Sequence, residues 1–457
     1  MSNQPVLSRS LSLGGASAIS TGLAFAALNF LGMAQMLDYI NGPIAWIAVL
    51  AGGVLILGVR ACFSELNGIY PTAAGIRLWM ARAMNDRLAL IITLTYMTAI
   101  VFVIAADAFI IGEAMAYAFG NGKLIAIVYV ALLLVFATLM NLRGIKLAGS
   151  LEKIVTSVVV LASVAIGIIA IIKRGPTPPK LLDGGSPLQA LILGIFLYTA
   201  FEWVTTNAEE VVKPKIIPRA MFIAIFVLAV SQSIFAVAMG LNLSAEGRAS
   251  AYPQLLVAEQ TMGNVGMLLM LAVTALTAVN TFNGGFVTLS RFMYAVAREG
   301  KLPRSLTKLN NKAVPVVPVI FLGVSSLILA VVVAVTGAWT MIVSMCAALE
   351  MMIYATAAFV VFRLRKREAD TERPFKLLGG RPLALAVMVL FGFLAIASST
   401  TVGKETSTTP LVTLAVIAGI VTLYVFFYLP RLEKREAEEL ATRRAERAAK
   451  RTAGEES

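Results

Sequence analysis

Four carboxylic acids stand well inside long apolar runs of this chain: Asp107, Glu113, Glu202 and Glu350. A charge in hydrocarbon is costly, so an acid held there is a functional candidate by default. Burial disfavours a bare carboxylate, so such a group either carries a proton or meets a mobile cation. The chain has no histidine, so proton transfer near neutral pH falls to carboxylates. Arg60 is the only basic residue well inside an apolar run, the others standing at or near run ends, which leaves the acids without an evident counter-ion. Cys62 and Cys346 both lie in apolar stretches and read as small core residues, not as a disulfide or a metal knuckle. No metal, cofactor or covalent chemistry is implied.

The elements that position these acids follow from composition. The 457 residues are 59% hydrophobic and only 14% charged, against about 25% charged in soluble domains. Most of the surface must therefore face lipid. Apolar runs at 12–37, 42–66, 88–119, 123–143, 151–172, 188–210, 217–241, 263–292, 317–338, 340–362, 382–402 and 410–429 predict about 12 transmembrane helices. Strands are excluded, because the runs are too long and lack alternation. No cleavable signal peptide is expected, since the first run is long and has no convincing cleavage site.

With the N-terminus placed inside, 31 of the 38 Lys and Arg residues fall on the inner side and 6 on the outer, with Arg60 in a span. That bias puts both termini in the cytoplasm of a cell inner membrane. The net charge of +13 is thus an orientation signal, and no nucleic-acid partner is expected. At about 1.5 Å per residue, Asp107, Glu202 and Glu350 reach roughly one depth near the middle of the bilayer. Glu113 lies nearer the outer surface, where water would hydrate it, and Glu350 reads as a structural acid. Beyond Pro430 the pairs Glu439–Arg443 and Glu446–Lys450 predict a charged helix near the headgroups.

Two spans resist regular helix. The first contains Gly14, Gly15, Ser17, Ser20, Thr21 and Gly22, residues that weaken a helix or let helices pack closely. The sixth places Tyr198, Thr199, Ala200, Phe201 and Glu202 at mid-depth. The two open corresponding groups of five spans, and interrupted helices in corresponding places mark a transporter's midplane site.

The segment from Phe196 to Ala220 resembles the sixth-span signature of the amino acid–polyamine–organocation permeases. The matching residues are Phe201-Glu202, Glu209-Glu210, Lys213-Pro214 and Ile217-Pro218-Arg219-Ala220. Further matches follow in order: Glu65-Leu66, Pro71 to Gly75, Asn141 with Arg143-Gly144, Ser290-Arg291 through Pro303, and Arg373-Pro374-Phe375. The resemblance implies an all-α membrane fold, a 5+5 inverted repeat of the LeuT-like kind with two C-terminal helices added. Its repeats would be 12–172 and 188–362, its added helices 382–429, and its cytoplasmic ends 1–11 and 430–457. It implies alternating access, with substrate held by exposed backbone at Ser20-Thr21-Gly22 and around Tyr198-Thr199-Ala200. It implies an aromatic gate at Phe196 and proton coupling at Glu202. In similar exchangers of basic amino acids the third span lines the side-chain pocket, so Asp107 favours an amine-bearing substrate or is a protonated acid bonded to a neighbouring helix.

The chain departs from that pattern at Ser20 and Ala200, both glycine in most members. The fifth span is apolar at Val158, Val159 and Val160, where some members carry a lysine in place of sodium. Thr274, Thr277, Asn280, Thr281 and Asn283 of the eighth span suit either a sodium site or interhelical hydrogen bonds. The expectation is a secondary transporter of an amino acid or amine, coupled to H⁺. Its alternative is an amino acid/amine exchanger. A non-transporting sensor needs a large soluble appendage, and only the 28 residues from Pro430 are available. A membrane enzyme needs a nucleophile–base pair or metal cluster that the spans lack, and a channel needs no paired broken helices. The oligomeric state, substrate identity and direction of transport are open at this point.

Overall fold

The computed structural model describes residues 11–72, 75–144, 149–175, 185–208, 210–213, 215–402, 405–434 and 438. The expectations at residues 1–10, Ala73, Ala74, Glu209, Pro214 and the paired charges beyond Glu438 lie outside the described residues. In chain order the helices are α1 (Leu13–Ala24), α2 (Leu28–Met36), α3 (Ala45–Ile69), α4 (Gly75–Ala83) and α5 (Asp86–Ala118). Next come α6 (Lys123–Leu142), α7 (Gly149–Arg174), α8 (Pro187–Phe196), α9 (Ile216–Asn242) and α10 (Ala245–Arg248). Then follow α11 (Pro253–Arg298), α12 (Val316–Thr336), α13 (Trp339–Arg367), α14 (Gly380–Ser399) and α15 (Thr409–Leu423). Among the described residues, eleven helices are long and apolar enough to cross a membrane, or twelve when the bent pair α1–α2 is one span.

Local chemistry starts and stops these helices. The side chains of Ser12, Asn85 and Ser186 accept the N–H of the residue three positions on, and Pro187 follows the last of them where no N–H is needed. The bundle sorts helices by what surrounds them. The segment Pro187–Asn207 is largely enclosed, whereas α6 and the last span expose Leu124, Leu132, Phe136, Ile420 and Phe427 on their outer faces. Apolar side chains left outward over a whole helix length are what a lipid-facing rim requires.

Close backbone approach holds the enclosed part together. A Cβ on Gly194 of α8 would lie 2.3 Å from the carbonyl oxygen of Ala48 on α3, and one on Gly52 would lie 2.6 Å from Gly194 itself. Only glycine lets the two helices meet this way. The eighth span is kinked at Gly263, whose φ of 65° only glycine adopts cheaply.

The first span departs from expectation. Ser20, Thr21 and Gly22 continue α1, and the chain breaks later, between Ala24 and Leu28, where α1 and α2 meet at 58°. Gly22 serves packing instead: a Cβ there would sit 2.6 Å from Thr156 Oγ1 and 3.0 Å from Asn280 Nδ2. Ser20 spends its hydroxyl on another helix, so it does not compete with its own backbone. The sixth span breaks near the expected place: α8 stops at Phe196, Ala200 is left-handed at φ 69°, and a 3₁₀ helix runs Phe201–Asn207.

A left-handed alanine is held against its intrinsic preference by about 1–2 kcal/mol. Ala200→Gly is therefore expected to raise unfolding free energy by about 1 kcal/mol, read as a higher denaturation midpoint. An unchanged or lower midpoint would show that the turn is not strained.

Candidate functional site

The two breaks face one another and are tied by side chains with no covalent help. Ser20 Oγ on α1 donates to the carbonyl of Phe201, 2.7 Å away, just past the second break. Asn29 Nδ2 donates to the carbonyl of Ala24 at 2.7 Å and to that of Leu197 at 3.2 Å. One amide thus takes a carbonyl from the end of α1 and another from the end of α8, groups that a broken helix leaves unpaired. The ring of Phe196 lies against Gly32 of α2, where a Cβ would stand 2.8 Å from it. Thr199 turns its hydroxyl back to the Phe196 carbonyl at 2.8 Å.

Asp107 of α5 completes the first break. Its Oδ1 accepts the N–H of Leu28 at 2.8 Å and its Oδ2 that of Ala27 at 3.4 Å. The side chain is fully buried, with Thr281 beside it. A carboxylate at a helix N-terminus satisfies orphaned donors and complements the helix dipole.

Of the predicted residues, Ser20, Asp107, Phe196, Thr199 and Ala200 cluster at the breaks. Thr21 and Gly22 lie within α1. Tyr198 is buried with its hydroxyl donating to the Val49 carbonyl on α3 at 2.9 Å, and it fills the space beside Gly53. It ties the sixth-span break to α3, and its hydroxyl is committed there.

Glu202 sits in the first turn of the 3₁₀ helix, fully buried. Tyr96 Oη donates to its Oε1 at 2.9 Å and Tyr354 Oη to its Oε2 at 2.9 Å. Tyr96 Oη also lies 3.2 Å from Oε2 of Glu350, and Trp203 Nε1 donates to Tyr96 Oη at 2.7 Å. Phe63, Phe201 and Phe391 pack around the Tyr354 ring. Tyrosine has one hydroxyl proton, and an indole N–H can only donate. Tyr96 therefore donates to one carboxyl at a time, and its contact with the other is a hydrogen bond only when that carboxyl carries a proton. The arrangement can hold one proton between two acids, beside the turn that Ser20 grips.

The sequence profile of amino acid permeases matches residues 9–423. The chain belongs to the amino acid permease family. It is 27% identical over 265 residues to the human "Large neutral amino acids transporter small subunit 2", covering 54% of this chain and 48% of that protein. It is 25% identical to the lysine-specific permease of Saccharomyces cerevisiae, covering 68% and 54%. It is 23% identical to a D-serine/D-alanine/glycine transporter of Escherichia coli, covering 58% and 62%. The matched region thus spans about half to three-fifths of these relatives, which are transporters and not enzymes. A manganese transporter of Eremococcus coleocola superposes with TM-score 0.63 at 12% identity, over 92% of this chain and 94% of that one. At that identity the likeness bears on fold alone: this permease is an all-α, multi-pass membrane protein of the LeuT-like 5+5 kind with two added helices.

Four partners in the permease's site escape a reading of the sequence. Glu350, expected to be structural, shares Tyr96 with Glu202. Tyr96, Tyr354 and Asn29 hide in apolar runs, although a buried hydroxyl or amide must find a partner and so signals a polar junction. In α11, Thr274, Thr277 and Thr281 donate to carbonyls three or four residues back, and Asn280 donates to Thr156 at 3.1 Å.

Proposed function

We propose that the chain is a secondary active transporter that carries amino acids or amines across the cytoplasmic membrane by alternating access. Substrate binds between the broken first and sixth spans, and Glu202 takes a proton on one side and releases it on the other. The repeats are 12–172 and 188–362, with helices 382–429 outside them and the basic loops in the cytoplasm. The observation that carries this reading is that α1 and the first break are both tied to the second break, through Ser20 and Asn29, beside the acid cluster. Ser20 grips Phe201, and the next residue is Glu202. Any motion that separates α1 from the second break therefore moves the carboxyl against Tyr96 and Tyr354.

The test is uptake by the purified full chain in liposomes, with labelled amino acids and amines and an inward proton gradient. Accumulation that a protonophore collapses is the expected result. Uptake that ignores the gradient and needs substrate inside the vesicle would replace coupling with exchange. No uptake beyond empty liposomes, by any compound of the panel, would sink the transporter reading.

A further inference from the structure

A broken membrane helix offers two kinds of group to a ligand. The N-terminus of the second half presents N–H donors and the positive end of a dipole, which suits an anion. The C-terminal ends present carbonyls, which suit a cation or an ammonium group. An amino acid carries both charges and so needs both.

In this chain the anion half is already filled from within. The α2 N-terminus gives its Leu28 and Ala27 N–H groups to Asp107, a residue on another helix and 79 positions away from Leu28 in sequence. The next two N–H groups, of Asn29 and Phe30, turn back to the carbonyls of Ala26 and Ala27. A substrate carboxylate arriving here meets occupied donors and a like charge. Nor is there a basic side chain to receive it. Among the described ion pairs the most buried guanidiniums, Arg77 and Arg373, are each 7% exposed by side chain and already paired, Arg77 with Asp86 and Glu299 and Arg373 with Glu65. A carboxylate desolvated without partner or donor is strongly disfavoured.

The cation half is free to work. The Asp107 carboxylate has about four lone-pair sites, and the two amides together with the Thr281 hydroxyl use at most three, which leaves one for a ligand N–H. The carbonyls of Ala24 and Leu197 share a single amide of Asn29. At the end of the molecule away from the basic loops, a cavity of about 540 Å³ has Phe109 of α5 in its wall, while Asp107, two residues back, lies outside that lining on the other side of the helix. That cavity is also lined by Glu113, the stacked Tyr117 and Tyr252, and Trp339, with ring centroids 4.3 Å apart in the stack. Among the described residues Lys123 is the one basic group in its lining; it reaches toward the Val335 carbonyl at 3.4 Å and its charge also acts on Glu113. An acid among aromatic faces attracts organic cations.

We infer that the substrate is an organic amine without an α-carboxylate, and that Asp107 fills the helix-end site that a substrate carboxylate would need while binding the ammonium. The inference rests on the reading of the breaks as the substrate site.

The experiment uses matched pairs: ethylamine with alanine, phenethylamine with phenylalanine, putrescine with ornithine, agmatine with arginine. Thermal stabilisation and competition for uptake are measured on the full chain, because a ligand of the folded state raises its melting temperature. At least one amine is expected to act at a concentration on the order of a hundredfold below its parent amino acid. Asp107→Ala, where it folds, is expected to lose that amine and narrow or reverse the preference. Amino acids outcompeting their amines on the wild type would overturn the inference and leave the break site standing. So would an amine preference that Asp107→Asn and Asp107→Ala both leave unchanged. Stabilisation and uptake by neither class would overturn the break-site reading and this inference with it.

Discussion

Glu202→Gln is expected to reduce proton-driven accumulation to the level of empty liposomes while leaving the fold and substrate binding in place. The substitution keeps the shape of the side chain and its ability to hydrogen-bond. The new amide's carbonyl oxygen can accept from Tyr96 or Tyr354, and its NH₂ can donate to the other hydroxyl. What the substitution removes is the exchangeable proton. The substrate contacts proposed at the breaks involve Asp107 and the carbonyls of Ala24 and Leu197, whereas the Glu202 carboxyl is bonded to Tyr96 and Tyr354. Ligand-induced stabilisation and substrate exchange across the vesicle wall should therefore survive, and only the response to a proton gradient should go. Glu350→Gln makes a sharper companion. It leaves Glu202 titratable and removes the second acid, so an altered pH profile with residual coupling is expected. Proton-driven accumulation by Glu202→Gln at the wild-type rate would remove this acid from the mechanism.

How much of this can be read from the sequence depends on how local the cause is. The spans are legible because each is a long apolar run, and the second break because Ala200 and the acid at 202 stand together in one. The first break is misplaced because glycine and serine carry two signals. In α1 they mark close packing, with Gly22 under Thr156 and Asn280. The true break at Ala24–Leu28 has ordinary apolar residues and is held open by Asp107 and Asn29. The Asp107 contact with Leu28 spans 79 residues, and no local pattern encodes it. Glu350 is under-read for the same reason: depth alone does not disclose that Tyr96, on another helix, faces it together with Glu202.

A second large effect is expected from Glu65→Gln, as lost stability: about 3–5 kcal/mol, by the rule for breaking a buried ion pair from one side. Glu65 is 1% exposed near the end of α3. Its Oε1 accepts from Arg365 Nε at 2.9 Å and from Arg373 Nε at 3.2 Å. Its Oε2 accepts from Arg365 Nη2 at 2.6 Å and from the Leu377 backbone N–H at 2.7 Å. Four donors on one carboxylate use its full accepting capacity. Glutamine has a single acceptor oxygen and would point an NH₂ at groups that only donate. Two guanidiniums, one of them also capping the α13 end through the Leu364 and Glu368 carbonyls, would lose their counter-charge. By contrast Lys301–Glu433, whose side chains are 24% and 42% exposed, is screened by water, and Glu433→Gln should cost below about 1 kcal/mol. Denaturation midpoints of the two variants, measured side by side in detergent, decide the matter. Equal and small losses would mean that the Glu65 cluster is solvated in the membrane-embedded protein. The consequence reaches the acid pair, because α13 carries Glu350 and Tyr354 and α3 receives the Tyr198 hydroxyl. Glu65 pins the ends of those two helices to one another. Its loss is therefore expected to loosen the register that sets Tyr354 against Glu202, and proton coupling should weaken in the folded fraction that remains.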